Sequence, residues 1–145
     1  MAEYFSQGMK RFNYLTSELD HTYHEIAREL HLSDSAMTVL YTICNFGDHC
    51  LLSDICKLSG VSKQTINSAV RKLESEGMIY LEARQGRRKT VYLTEAGKRL
   101  VQRTVARLIE AENEAFDAWT EEEQSLYLKL TERFLITLRK KMKEL

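Results

Sequence analysis

The segment that decides the reading of this chain runs Leu52-Ser53-Asp54-Ile55-Cys56-Lys57-Leu58-Ser59-Gly60-Val61-Ser62-Lys63-Gln64-Thr65-Ile66-Asn67-Ser68-Ala69-Val70-Arg71-Lys72-Leu73-Glu74-Ser75-Glu76-Gly77. It holds two stretches of helical periodicity around a breaker. The first, Leu52 to Leu58, stops at Ser59-Gly60. The second starts behind Ser62, whose hydroxyl suits a helix N-cap, and ends at Gly77. Within it Ile66, Ala69, Val70 and Leu73 share one side. At about 100° per residue, the opposite side carries Gln64, Ser68 and Arg71, flanked by Thr65, Asn67 and Lys72. A short helix, a tight turn and a second helix form a helix-turn-helix, whose second helix enters the DNA major groove. Gln and Asn pair bidentately with adenine and Arg with guanine, and this side has no carboxylate to oppose them.

Beyond Gly77 the apolar period shortens from about 3.6 residues to about 2. Ile79, Leu81 and Ala83 alternate with Tyr80, Glu82 and Arg84, and Val91 and Leu93 alternate with Tyr92 and Thr94. Two short strands joined through Arg84-Gln85-Gly86-Arg87 predict a hairpin. Arg84, Arg87, Arg88 and Lys89 crowd its tip, and their repulsion is relieved by an anionic ligand. A basic finger reaching phosphates or the minor groove follows from that arrangement. A helix-turn-helix followed by such a ribbon is a winged helix.

Net charge conceals this. Lys plus Arg total 21, as do Asp plus Glu, so the chain is formally neutral. Between Lys57 and Arg107, however, twelve cations face four anions, leaving that stretch at +8 and the remainder at −8. A polyanionic partner for the middle segment fits the asymmetry.

Outward from the centre the chain reads as helix. Phe5, Met9, Phe12, Leu15, Leu19, Tyr23, Ile26 and Leu30 mark a long first helix, and Ser33 caps a second that Gly47 ends. Thr94 opens a helix expected to run to about Ala118. Thr120 and Glu123 form a capping box for a last one, striped by Leu126, Leu130, Phe134, Leu138 and Met142. With no Pro and 6 Gly in 145 residues, little interrupts these helices. The fold class predicted is mainly α with a small β-hairpin wing. The apolar stripes at both ends exceed what one small lobe covers, so twofold pairing of two copies is the simplest burial.

The runs Leu52-Ser53-Asp54-Ile55, Val61-Ser62-Lys63-Gln64-Thr65 and Arg71-Lys72-Leu73-Glu74-Ser75-Glu76-Gly77 resemble the MarR family of bacterial transcription regulators. So does the wing, Gly86-Arg87-Arg88-Lys89-Thr90-Val91-Tyr92-Leu93-Thr94-Glu95-Ala96-Gly97, which ends in the pattern LTxxG. The resemblance spans essentially the whole chain. It implies one domain over 1–145, with a winged-helix lobe at about 33–97 and a helical dimerisation region at about 1–30 and 98–145. It also implies a homodimer on a palindromic double-stranded DNA operator, most often as a repressor that a small-molecule effector releases. The wing Arg that enters the minor groove corresponds to Arg87, while the Asp usual two residues earlier is Gln85 here. The expected DNA-binding set is Ser62, Lys63, Gln64, Thr65, Asn67, Ser68, Arg71, Lys72, Arg84, Arg87, Arg88 and Lys89.

The remaining signals are weaker. Relatives of this kind hold small aromatic or phenolic effectors near the dimer helices; Tyr14, Tyr23, His24 and Tyr41 are candidates, with core packing the competing reading. The effector is left unknown. Cys44, Cys50 and Cys56 form no CxxC pair and read as reduced structural thiols. His21, His24 and Glu25 share a helical face, but surface His is commoner than a metal site, so no metal and no cofactor is expected. No GxGxxG, HExxH or GxSxG occurs, which argues against an enzyme. No apolar run reaches the roughly 20 residues of a membrane span, and the start lacks a secretory pattern, so a cytoplasmic protein without membrane contact is expected. The alternative function is a helical protein-interaction module that does not touch DNA.

Overall fold

The computed structural model describes residues 6–84 and 88–145, with Arg84 described by its backbone alone. Phe5, at the expected start of the first helix, and Gln85, Gly86 and Arg87, at the wing tip, lie outside the described residues.

The elements are α1 (Gln7–Glu29), α2 (Asp34–Asn45), β1 (His49–Leu51), α3 (Leu52–Ser59), α4 (Lys63–Ser75), β2 (Ile79–Arg84), β3 (Arg88–Leu93), α5 (Glu95–Arg103), α6 (Val105–Asp117) and α7 (Glu121–Met142). The architecture is mainly helical with one antiparallel sheet. Five helices start behind a hydroxyl that accepts from the first turn: Ser6 from Met9 N, Ser33 from Ala36 N, Ser62 from Thr65 N, Thr94 from Gly97 N and Thr120 from Glu123 N. The Thr120–Glu123 capping box is complete in both directions.

Two local expectations need correction. The sheet has three strands in the order β1-β3-β2, because His49–Leu51 pairs with β3 through His49↔Tyr92, Cys50↔Val91 and Leu51↔Thr90. Three residues are too few to show an alternating pattern, so the sequence carries no visible sign of β1. The helix expected from Thr94 to Ala118 is instead two, broken at Thr104 (φ −128°, ψ −96°). Thr104 is buried, and its hydroxyl donates to the Leu100 carbonyl at 2.6 Å. Such back-bonding from a β-branched residue bends a helix without any Gly or Pro to announce it.

The chain forms two compact units, Met1–Leu108 and Ile109–Leu145. The core of the first is built on Leu40, Ile43, Ile55, Ile66, Ile79 and Val91, all fully buried. Ala27 from α1, Val101 from α5 and Val105 and Leu108 from α6 join it. The inward set read for α4, namely Ile66, Ala69, Val70 and Leu73, is its buried set. In the second unit Trp119 packs against Phe116 and, edge-on, Tyr127, with centroids 5.2 and 5.1 Å apart. The Gln124 side chain donates to the Phe116 carbonyl at 2.9 Å and secures the turn into α7.

Candidate nucleic-acid interface

The turn between α3 and α4 is made by Gly60 in the left-handed region (φ 68°), a conformation that disfavours any residue with a Cβ. The Ser59 hydroxyl accepts from Val61 N at 3.2 Å within the same turn. Ser62 then starts α4, and its hydroxyl donates to Thr65 Oγ1 at 2.9 Å while accepting from Thr65 N. One candidate DNA contact, Ser62, is therefore already committed to capping.

Lys63, Gln64, Thr65, Ser68, Arg71 and Lys72 are exposed on α4, and Asn67 is half-buried. Their exposure follows from the burial of the opposite side against α2 and the sheet. A cleft of about 1040 Å³ lies between α3, α4 and the strands. Lys63, Asn67 and Arg71 line it from α4, and Arg88 and Lys89 line it from β3. Leu52, Cys56, Val61, Val70 and Leu81 supply apolar wall. The sequence-read set thus splits: five of its members meet in one cleft, while Gln64, Thr65, Ser68 and Lys72 sit on α4 outside its lining. Arg84 reaches the wing by its backbone, with Cα paired to Arg88. Arg87 is among the residues not described.

Two further residues belong to this cleft. Lys57, at the end of α3, adds a fifth cation, and Glu74 brings one carboxylate. Lys57 was visible only as a contribution to the basic stretch, because a short helix does not fix which side chains turn towards its neighbour. Glu74 sits near the end of α4 and still reaches the lining. None of the five cations forms an ion pair among the described residues; the paired lysines, Lys98 and Lys141, are elsewhere. Cations without internal partners, held together around a groove, make a surface suited to polyanions.

The far end of α4 is clasped to the start of α5. Gly77 (φ 77°) turns the chain, and Met78 N donates to the Leu73 carbonyl at 2.9 Å. The Thr94 hydroxyl donates to Gly77 O at 2.6 Å and lies 3.1 Å from Met78 O. Gly97 packs so closely that a Cβ there would collide with the Met78 carbonyl. The pattern LTxxG is thus a structural lock that orients α4 against the wing.

A residue model of the MarR family matches 32–89, which contains the whole helix-turn-helix and most of the wing. Over residues 32–89 the chain is therefore similar to the MarR family. No curated protein sequence matches the chain. Among solved structures, NMB1585, a MarR family regulator from Neisseria meningitidis, is similar at a TM-score of 0.83 and 16% identity, over 96% of this chain and 99% of that one. The S. aureus MepR–DNA complex is similar at 0.68 and 21%, over 92% and 98%. BpsR of Bordetella bronchiseptica, whose DNA binding is regulated by 6-hydroxynicotinic acid, is similar at 0.63 and 18%, over 86% and 98%. At these identities the likeness is one of fold.

Outside the cleft, a polar cluster ties β1 to α5. Asp48 accepts from His49 Nδ1 at 2.8 Å, and Lys98 Nζ lies 3.6 Å from Asp48 and 3.3 Å from Glu95. The His49 hydrogen bond, with help from Lys98, holds the Asp48 carboxyl below its ordinary range against a smaller desolvation effect. The Glu95 hydrogen bond and charge, then Asp48, raise the Lys98 ammonium. Of the candidate effector residues, Tyr14 and Tyr23 are exposed on α1, Tyr41 packs on the core, and His24 Nδ1 sits 2.8 Å from Asp34 at the start of α2. His21 pairs instead with Glu25 at 3.0 Å. No described helix is long and apolar enough to cross a membrane.

Proposed function

We propose that this chain is a sequence-specific transcription regulator that binds a palindromic operator as a homodimer, acts as a repressor and is released by a small-molecule effector. The observation that carries the reading is the cleft whose cations Lys57, Lys63, Arg71, Arg88 and Lys89 form no ion pair among the described residues. In this reading Gln64, Asn67, Ser68 and Arg71 face base edges, with Ser62, Thr65 and Lys72 beside them. Lys63, Arg84, Arg88 and Lys89 hold phosphates, and Arg87 enters the minor groove. The MepR–DNA complex shows a protein of the same fold on duplex DNA, which supports that docking.

The dimer is argued from exposure. α7 has 22 residues and buries none, although Leu126, Leu130, Phe134, Leu138 and Met142 recur along it at 41–62% exposure. On α1 Phe12, Leu15, Leu19 and Tyr23 are exposed while Ala27 alone is buried. Apolar stripes at helical spacing find their cover in a second copy. A small aromatic effector is supported by BpsR, a protein of this fold whose DNA binding 6-hydroxynicotinic acid regulates.

In vitro selection from a random duplex library tests the proposal. A palindromic consensus with half-sites about one helical turn apart is the expected result. Recovery of unrelated sequences, or preference for single strands, contradicts it.

A further inference from the structure

We propose that a second cavity, between β1, β3 and the start of α3, binds an organic cation with an aromatic body, and that Asp54 supplies its counter-charge. The cavity measures about 340 Å³ and is lined by Phe46, His49, Cys50, Asp54 and Tyr92, among others. Three of its seven lining residues, Phe46, His49 and Tyr92, carry aromatic rings. Phe46, at the C-cap of α2, is 48% exposed. His49, Tyr92 and Tyr80 stand in one stack across the three strands, each neighbouring pair 5.0 Å apart and within 20° of parallel. The stack follows from the register, which places the three residues side by side on strands one hydrogen-bond spacing apart. Tyr92 has both ring faces occupied, whereas His49 ends the stack and Phe46 lines the same cavity.

The charge of the cavity selects the ligand. Asp54 lies in the first turn of α3 and has no ion pair among the described residues. The other acid of this corner, Asp48, is taken by His49 and Lys98, and Lys98 is itself shared with Glu95. Burial, and after it the Asp54 charge, push the Cys50 thiol on the cavity wall up to about 11, so that thiol stays neutral and the carboxylate is the local charge. Ring faces carry negative potential, and a carboxylate beside them completes a seat for an ammonium group. The cleft of α4, with five cations, repels the same ligand.

Occupancy has a route to the wing. β3 presents Thr90 and Tyr92 to this cavity and Arg88 and Lys89 to the cleft. Any effect on the wing rests on the DNA-binding reading; binding of the cation does not.

Titration of the full chain with benzyltrimethylammonium, followed by amide NMR, tests the site. Saturable shifts are expected at 46–54 and 90–92. Asp54→Asn is expected to weaken binding about tenfold, with sodium phenylacetate leaving the same amides unmoved. Phe46→Leu, which keeps an apolar rim but removes the ring, provides an independent weakening at an exposed position. Shifts concentrated elsewhere, unchanged affinity in both variants, or equal binding of phenylacetate overturns the inference. Cation binding here by a chain with no affinity for duplex DNA upholds this inference and sinks the DNA reading alone.

Discussion

The Thr94 hydroxyl lies 2.6 Å from the Gly77 carbonyl oxygen and so joins the first residue before α5 to the turn that ends α4, seventeen positions earlier. The Thr94 hydroxyl oxygen also caps α5 by accepting from Gly97 N at 3.0 Å. One side chain therefore fixes the end of α4, the end of the wing and the entry to α5 relative to one another.

Thr94→Val, which keeps the shape and deletes both bonds, is expected to cost about 1–3 kcal/mol in denaturant unfolding. Thr94→Ser should recover most of that. Equal stability of Thr94→Val and wild type would show that the clasp contributes nothing.

Gly97→Ala opposes two effects. Alanine favours a helix interior by about 1 kcal/mol, but its methyl would strike the Met78 backbone carbonyl, which cannot rotate away like a side chain. Overpacking of this kind costs about 1–3 kcal/mol, so a lowered unfolding midpoint is expected. A raised midpoint would mean that α5 shifts freely against the turn.

The cluster at Asp48 predicts a pH signature. Its carboxyl is depressed in the folded state, so its stabilisation is present above the unfolded value of about 3.9 and is lost as pH falls through the folded one. Asp48→Asn is therefore expected to lower the melting temperature at pH 7, with the difference closing as pH falls through the depressed folded value. Lys98 is raised and behaves oppositely, its contribution being lost as pH climbs past its folded value above about 10.4. Since these groups are solvent-exposed, added salt should shrink both effects. A pH-independent deficit for Asp48→Asn would contradict the ion-pair origin.

Oligomerisation should respond to α7. Leu130→Glu with Leu138→Glu alters two residues that are 41% and 55% exposed, so the fold of each chain should survive. Light scattering is expected to report a dimer for wild type and a monomer for the pair. A dimer in both places the interface elsewhere.

Much of this was legible because periodicity and caps are local. The inward face of α4 is set by Ile66, Ala69, Val70 and Leu73, and the Ser33, Ser62, Thr94 and Thr120 caps each depend on an amide three residues on. What the sequence hid depends on tertiary contact. β1 exists because β3 lies beside it, and the break at Thr104 reflects a buried hydroxyl turned onto Leu100. In the site, the roles of Lys57 and Glu74 and the separation of Gln64 and Ser68 from Lys63 and Arg71 arise from where the strands stand against α4. No spacing along one helix encodes that.

On the proposed reading, base reading and phosphate holding separate under substitution. Arg71→Ala or Gln64→Ala is expected to relax preference at particular base pairs by about 1–3 kcal/mol each. Retention of the full consensus by both variants would remove α4 from the groove.

The most direct test of the central claim is the salt dependence of binding to the selected duplex, for wild type and for Lys63→Ala, Arg88→Ala and Lys89→Ala. Each residue occurs twice in a dimer, so each substitution should flatten the slope of log K against log salt by about 1.8. A steep slope in wild type that each variant reduces is the predicted result. A shallow wild-type slope, or one that none of the three alters, would contradict the assignment of this cleft to DNA phosphates.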